Sequence, residues 1–187
     1  QSAHFDCKNK ILDIKKFIKS LNFFLNKKNI SILKIKLRNN QFHSRFSAKE
    51  RTYLYLIRND YSPSMINHNR EWNIRNKLDI NLMKKGAEKF IGTHDFSTFR
   101  SANCSAKNPI RTIKKIQILK SKKQIKIRIK SQSFLKSQVR SMVGSLKYLS
   151  EKKWDLKKFE NILKSKDRKN CAPLAPAHGL YLEKVIY

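Results

Sequence analysis

The chain has 187 residues and carries a formal net charge of +30, from 43 Lys+Arg against 13 Asp+Glu, with 40% of residues hydrophobic. That length and apolar content give a globular chain of one domain or two small ones and exclude a disordered polymer. No apolar run spans a bilayer and no signal peptide opens the chain, which begins on Gln1 and so reads as a fragment or a processed product.

In chain order, residues 11–25 place Ile11, Ile14, Phe17, Ile18 and Leu21 at helical spacing, and a helix is expected there. Residues 31–38, with Ile35 and Leu37 between lysines, read as a strand, and so does the aromatic and β-branched run 51–57, which Pro63 terminates. A helix is expected over 79–92, capped by Asp79 and stopped by Gly92. The runs 111–120 and 124–130 alternate isoleucine with Lys/Arg around a Ser-Lys-Lys turn and predict a hairpin with one buried and one basic face. Ser133 is the expected N-cap of a helix containing Val139, Met142, Val143 and Leu146, and Asp155 that of another containing Leu156, Phe159, Ile162 and Leu163. The chain closes on an alternating strand, "GLYLEKVIY". Hairpins and helices without a βαβ rhythm predict an α+β fold around an antiparallel sheet.

The charge excess points first to nucleic acid and second to an anionic membrane surface. Its weight is tempered by composition, since abundant Lys, Ile and Asn with only 4 Gly is also how an AT-rich genome writes any protein. The three cysteines (Cys7, Cys104, Cys171) and five histidines are scattered without metal-ligand or disulfide spacing. Reduced thiols in a cytoplasm and no metal are therefore expected.

Three irregular polar stretches stand out: 42–55, 92–111 and 171–182. Tyr53 and Tyr55 share one strand face, where packing competes with function. His94–Asp95 could form a general-base pair, but a turn-stabilising aspartate is the commoner use. Phe96 and Phe99 suit base stacking or a core. Arg140 is the unusual residue, because it sits within an apolar helical pattern with no acid one turn away. A guanidinium there requires a partner or a ligand.

Taken in order, "QSAHF" (1–5), "FHSRFSAKERTYLY" (42–55), "FIGTHDFSTFR" (90–100), Cys104, "PIRTI" (109–113), "SFLKSQVRSMVGSL" (133–146), "DR" (167–168), "APLAPAHGLYL" (172–182) and the closing "VIY" resemble the tRNA pseudouridine synthase A (TruA) family. The resemblance implies an isomerase that converts uridine to pseudouridine at positions 38 to 40 of the tRNA anticodon stem-loop, without metal or cofactor. It also implies a cytoplasmic homodimer with no membrane attachment, and an α+β domain with a mixed, mainly antiparallel sheet flanked by helices, built from two similar halves. Residues 41–187 correspond to the C-terminal half and 1–40 to a remnant of the N-terminal one.

Arg140 matches the family arginine that pairs with the catalytic aspartate. Tyr53 matches the catalytic tyrosine that stacks on the target base and is the candidate to remove the C2′ proton, and Leu180 the leucine on the other side of the ring. Arg100 and Arg111 match substrate-binding positions. The family's "GRTD" segment, which carries the aspartate, does not occur in this sequence, so the chain is expected to be inactive without it. Lys136–Ser137 and Ser141 stand where relatives usually carry His-His and Asn. The alternative reading is a non-catalytic, basic RNA-binding protein.

Overall fold

The structure is a computed structural model that describes all 187 residues. It divides into two compact units, Ser2–Ser47 and Ala48–Tyr187, with Gln1 grouped with the second.

In the smaller unit, helix α1 (Ile14–Leu25) begins where Asp13 accepts a hydrogen bond from the Lys16 amide at 2.9 Å. Its stripe Ile14, Phe17, Ile18 and Leu21 is the half-buried face, while Phe23 and Phe24 are exposed. The strand expected over 31–38 does not form. A strand needs a neighbouring backbone to satisfy its amides and carbonyls, and here only the Asn22 side chain supplies one. Its Nδ2 donates to the Ile32 carbonyl at 3.1 Å and its Oδ1 accepts from the Ile32 amide at 2.6 Å. Beyond that pair the run has no ladder, and Leu33 and Leu37 face solvent.

The larger unit holds one six-stranded sheet. Its centre is β1 (Glu50–Asn59), paired along one edge with β5 (Gln124–Ser131) in antiparallel register, Tyr53 opposite Ile129 and Tyr55 opposite Ile127. The other edge of β1 is shared between β6 (Leu180–Ile186), antiparallel along Glu50–Tyr55, and the short β2 (Trp72–Ile74), parallel along Ile57–Asn59. Outward from β5 lie β4 (Ile110–Ser121) and β3 (Gly92–Asp95). The hairpin turns at Lys122–Lys123, with Lys122 at φ 51°.

Strand alternation puts Ile125, Ile127 and Ile129 fully inside and Lys126, Arg128 and Lys130 on the opposite face. An irregularity in β4 between Ile113 and Lys115 adds one residue. Ile113 and Ile116 can therefore both turn inward although three apart. The result is the expected α+β architecture, with a mixed, mainly antiparallel sheet.

Helices α2 (Ile80–Glu88), α3 (Gln138–Ser150) and α4 (Leu156–Lys164) contribute to the same core as the isoleucine face. Phe90 lies at its centre, with ring centroids 5.0 Å from Phe99, 5.1 Å from Phe159 and 6.2 Å from Phe96. All four rings are buried, so Phe96 and Phe99 belong to the core rather than to a stacking surface. Helix α2 stops at Glu88, short of the expected Gly92. Gly92 instead opens β3 at φ 103°, a conformation open to glycine.

Asp79 caps α2 by accepting from the Leu82 amide at 3.0 Å, and Asp155 caps α4 by accepting from the Lys158 amide at 2.6 Å. Replacing Asp155 by Ala leaves that amide without its side-chain acceptor. It should lower unfolding free energy by about 1 kcal/mol, measurable as a reduced urea midpoint at unchanged slope. No helix is long and apolar enough to cross a membrane.

Candidate active site

The site is assembled where the N-terminal turn of α3 meets the segment leading into β6. The expected cap Ser133 lies too early: α3 starts at Gln138, after Ser137 at φ 64°. The buried Gln138 side chain accounts for the delay. Its Oε1 accepts from the Leu135 amide at 2.8 Å, while the Gln138 backbone N–H donates to the Leu135 carbonyl at 3.1 Å, closing a tight turn ahead of the helix.

Arg140 then falls in the first turn, half-buried, with Val139 and Ser141 to Val143 buried around it. Its Nε donates to the Ala175 carbonyl at 2.6 Å, and the Ala175 amide donates back to the Arg140 carbonyl at 3.2 Å. None of the ion pairs includes Arg140. The guanidinium is thus fixed by one backbone acceptor, with its two Nη groups uncommitted. One turn along, Gly144 lies against Pro173.

The next carbonyl, that of Pro176, accepts from the Tyr55 hydroxyl at 2.7 Å. A short turn over Ala177–Gly179 delivers Leu180 to the start of β6, directly opposite Tyr55. Tyr53 pairs with Leu182 and is therefore the diagonal neighbour of Leu180 on the same sheet face. Its ring meets Phe134 edge-on at 5.1 Å, just ahead of α3. Arg140, Tyr53 and Leu180 thus border one short segment and its adjoining strand.

Arg100 and Arg111 lie in a neighbouring group. Arg100 donates to the Ala106 carbonyl at 3.3 Å, and Arg111 to those of Asn108 at 2.9 Å and Ile110 at 2.6 Å. Both charges act on Cys104. Burial pushes that thiol up, but amide bonds from Ala106 and Lys136 together with the two arginines outweigh it and hold the thiol below its ordinary range. The Ser101 amide also donates to the Lys136 carbonyl at 3.0 Å, which ties this loop to the turn before α3.

His94 and Asp95 form no base pair. Asp95 accepts from the Ser97 amide at 2.8 Å as a turn residue, and His94 Nε2 lies 2.9 Å from the Ile91 carbonyl. Ser141, standing at the unusual position, accepts from Arg168 at 3.0 Å. Arg168 carried no expected role, and Tyr55 was weighed only as sharing a strand face with Tyr53. For Tyr55 the available signal was its place two residues beyond Tyr53 on the same strand face. Arg168 offered only the short "DR" match.

No group of His, Cys, Asp and Glu side chains is arranged to hold a metal. A concavity of 480 Å³ lined by Lys77–Asn81 and Ser150–Lys152 lies at the far end of α3, about 15 Å along the helix from Arg140, and has no part in this arrangement.

The model of the tRNA pseudouridine synthase family matches residues 87–187, the stretch that contains Arg100, Arg111, Arg140 and Leu180. The chain is similar over its whole length to the tRNA pseudouridine synthase A of Pelagibacter ubique, at 59% identity over 187 residues, and to that of Ehrlichia chaffeensis, at 42%. In each case it covers 76% of the relative's length. A relative of such identity matched across all 187 residues, with a family match spanning the α3 turn and the β6 segment, shows that the chain belongs to the tRNA pseudouridine synthase family.

Proposed function

We propose that this isomerase converts uridine to pseudouridine at positions 38 to 40 of the tRNA anticodon stem-loop, working as a cytoplasmic homodimer. The observation that carries the reading is Arg140. It is oriented by the Ala175 carbonyl, its Nη groups have no protein acid, and the segment it holds leads into the strand that begins at Leu180 and pairs with that of Tyr53. A guanidinium held this way keeps a carboxylate beside it ionised.

The reaction breaks the C1′–N1 glycosidic bond, turns the base, joins C1′ to C5, and releases the C5 proton while N1 regains one. A carboxylate serves by attacking or stabilising C1′ while the base is detached. In this reading the target base leaves its stack, Tyr53 stacks on one of its faces and Leu180 packs on the other. Arg100 and Arg111 bind the RNA, where phosphate contacts set position. Residues 41–187 form the C-terminal half of the synthase and 1–40 the remainder of the N-terminal half.

The lack of an acid on Arg140 is also what a non-catalytic, basic RNA-binding protein would show, and the test must separate the two. The position of modification is read by primer extension after carbodiimide treatment of tRNA from cells with and without the gene. Loss of stops at 38 to 40 supports the assignment, and unchanged stops refute it.

Binding gives a second measurement. With a net charge of +30, tRNA affinity should fall roughly a thousandfold between about 50 and about 200 mM salt, through counterion release at several phosphates. A flat response, or equal affinity for anionic vesicles, would contradict an RNA partner.

A further inference from the structure

Tyr55 is fully buried, yet its hydroxyl does not bond within its own sheet. It crosses to the Pro176 carbonyl at 2.7 Å, while Arg140 Nε takes the preceding carbonyl, Ala175, at 2.6 Å. Two successive peptide units are thus held from two different elements, the central strand and α3. Neither unit can rotate without losing a hydrogen bond.

The ring side of Tyr55 makes a second contact. A Cβ on Gly179 would come within 2.8 Å of Tyr55 Cζ and 2.9 Å of the Leu56 carbonyl oxygen, so the backbone just before Leu180 lies close against the phenol. Tyr55 therefore touches the segment at both ends, Pro176 and Gly179, with Leu180 immediately following. Burial pushes the phenol up from its ordinary value, with the Arg140 charge opposing, so the hydroxyl remains a donor throughout the neutral range.

We propose that Tyr55 is a positioning residue of the isomerisation, fixing segment 175–180 so that Arg140 and Leu180 hold their orientation toward the substrate. This rests on the reading of Arg140 and Leu180 as site residues. Tyr55 itself does not touch the base, a role given to Tyr53 two residues earlier.

Tyr55→Phe isolates the effect, because phenylalanine fills the same core volume and removes only the bond to Pro176. In the enzyme as its gene encodes it, kcat on tRNA should fall about tenfold, a modest version of the loss that misplaced groups cause, while KM stays within about twofold. Hydrogen exchange should accelerate at the Ala175 and Leu180 amides and remain unchanged along β4 and β5. Ile118→Val, which trims the same core on β4, should leave kcat at the parent value.

A Tyr55→Phe enzyme with parental kcat, measured beside inactive Arg140→Ala and Leu180→Ala enzymes, overturns the positioning role and leaves the site reading intact. A kcat loss equalled by Ile118→Val reduces Tyr55 to packing and overturns it as well. If Arg140→Ala and Leu180→Ala both keep parental kcat, the site reading falls and the positioning role falls with it, since nothing would remain to be positioned.

Discussion

Assayed on tRNA carrying tritium at uridine C5, these 187 residues alone should release no tritium, whereas a chain extended ahead of Gln1 through a GRTD segment should release it readily. The physical ground is the environment of Arg140. Its Nε is taken by Ala175, and no Asp or Glu of the chain pairs with its remaining nitrogens. The acids nearest in sequence are otherwise engaged: Glu151 pairs with Lys147 and Lys153, and Asp155 caps α4 through the Lys158 amide.

Without a carboxylate at C1′ the detached sugar has nothing to stabilise it. Removing the group that forms a covalent or near-covalent intermediate costs roughly 10⁴-fold or more in rate. In the extended chain, Arg140→Ala should lower kcat by roughly 100- to 1,000-fold, the scale for losing one preorganised electrostatic partner at the reacting centre. Robust release by the 187 residues would mean that another of their carboxylates serves as nucleophile. Full activity in Arg140→Ala would show that the guanidinium merely braces the Ala175 segment.

What could be read from the sequence follows from which interactions have residue identity. The alternation of Ile125, Ile127 and Ile129 with lysine and arginine announced a half-buried strand, because the side chains alone decide which face is dry. The caps Asp79 and Asp155 were legible for a similar reason: a carboxylate ahead of an amphipathic run has one common use. The three residues of β2 gave no signal, since parallel pairing with β1 depends on where the chain returns rather than on its local pattern. Residues 31–38 had a strand's pattern without a partner.

Arg140 was conspicuous because a cation in an apolar stripe demands an explanation. Its observed partner, the Ala175 carbonyl, could not be named beforehand, because every residue offers a backbone carbonyl. Tyr55 was hidden for the opposite reason. It looks like a core residue and is one, and its contact with Pro176 appears only when the Pro-rich segment is folded over the strand.

Gly144 provides the sharpest test of that folded segment. An alanine in place of glycine inside a helix ordinarily stabilises by about 1 kcal/mol, and Gly144 lies mid-way along α3. Here the sign should reverse. A Cβ at this position falls inside the van der Waals envelope of the Pro173 carbonyl oxygen, with the Pro173 carbonyl carbon at 3.3 Å and the Ala175 amide nitrogen at 3.4 Å. These are backbone atoms and cannot rotate aside. The same stretch is also pinned at Ala175 by Arg140 and at Pro176 by Tyr55. Relief would require the segment to move off the helix, at about 1–3 kcal/mol for overpacking and about 1 kcal/mol for each hydrogen bond given up.

Gly144→Ala should therefore be destabilised by about 2–4 kcal/mol in urea unfolding, the sum of those costs less the helix gain. It should also lose activity under conditions where it is still folded, because Arg140 and Leu180 lose their common support. Gly86→Ala is the matched comparison. Its Cβ would meet the Leu149 side-chain methyl first, with the Leu146 methyl at 3.2 Å, and methyl groups can turn away. Its cost should lie between about 0 and 2 kcal/mol after the same helix gain, with activity retained. If Gly144→Ala proved as stable as its parent, α3 could not lie directly on Pro173, and the bracing of Arg140 by Ala175 would lose its structural basis.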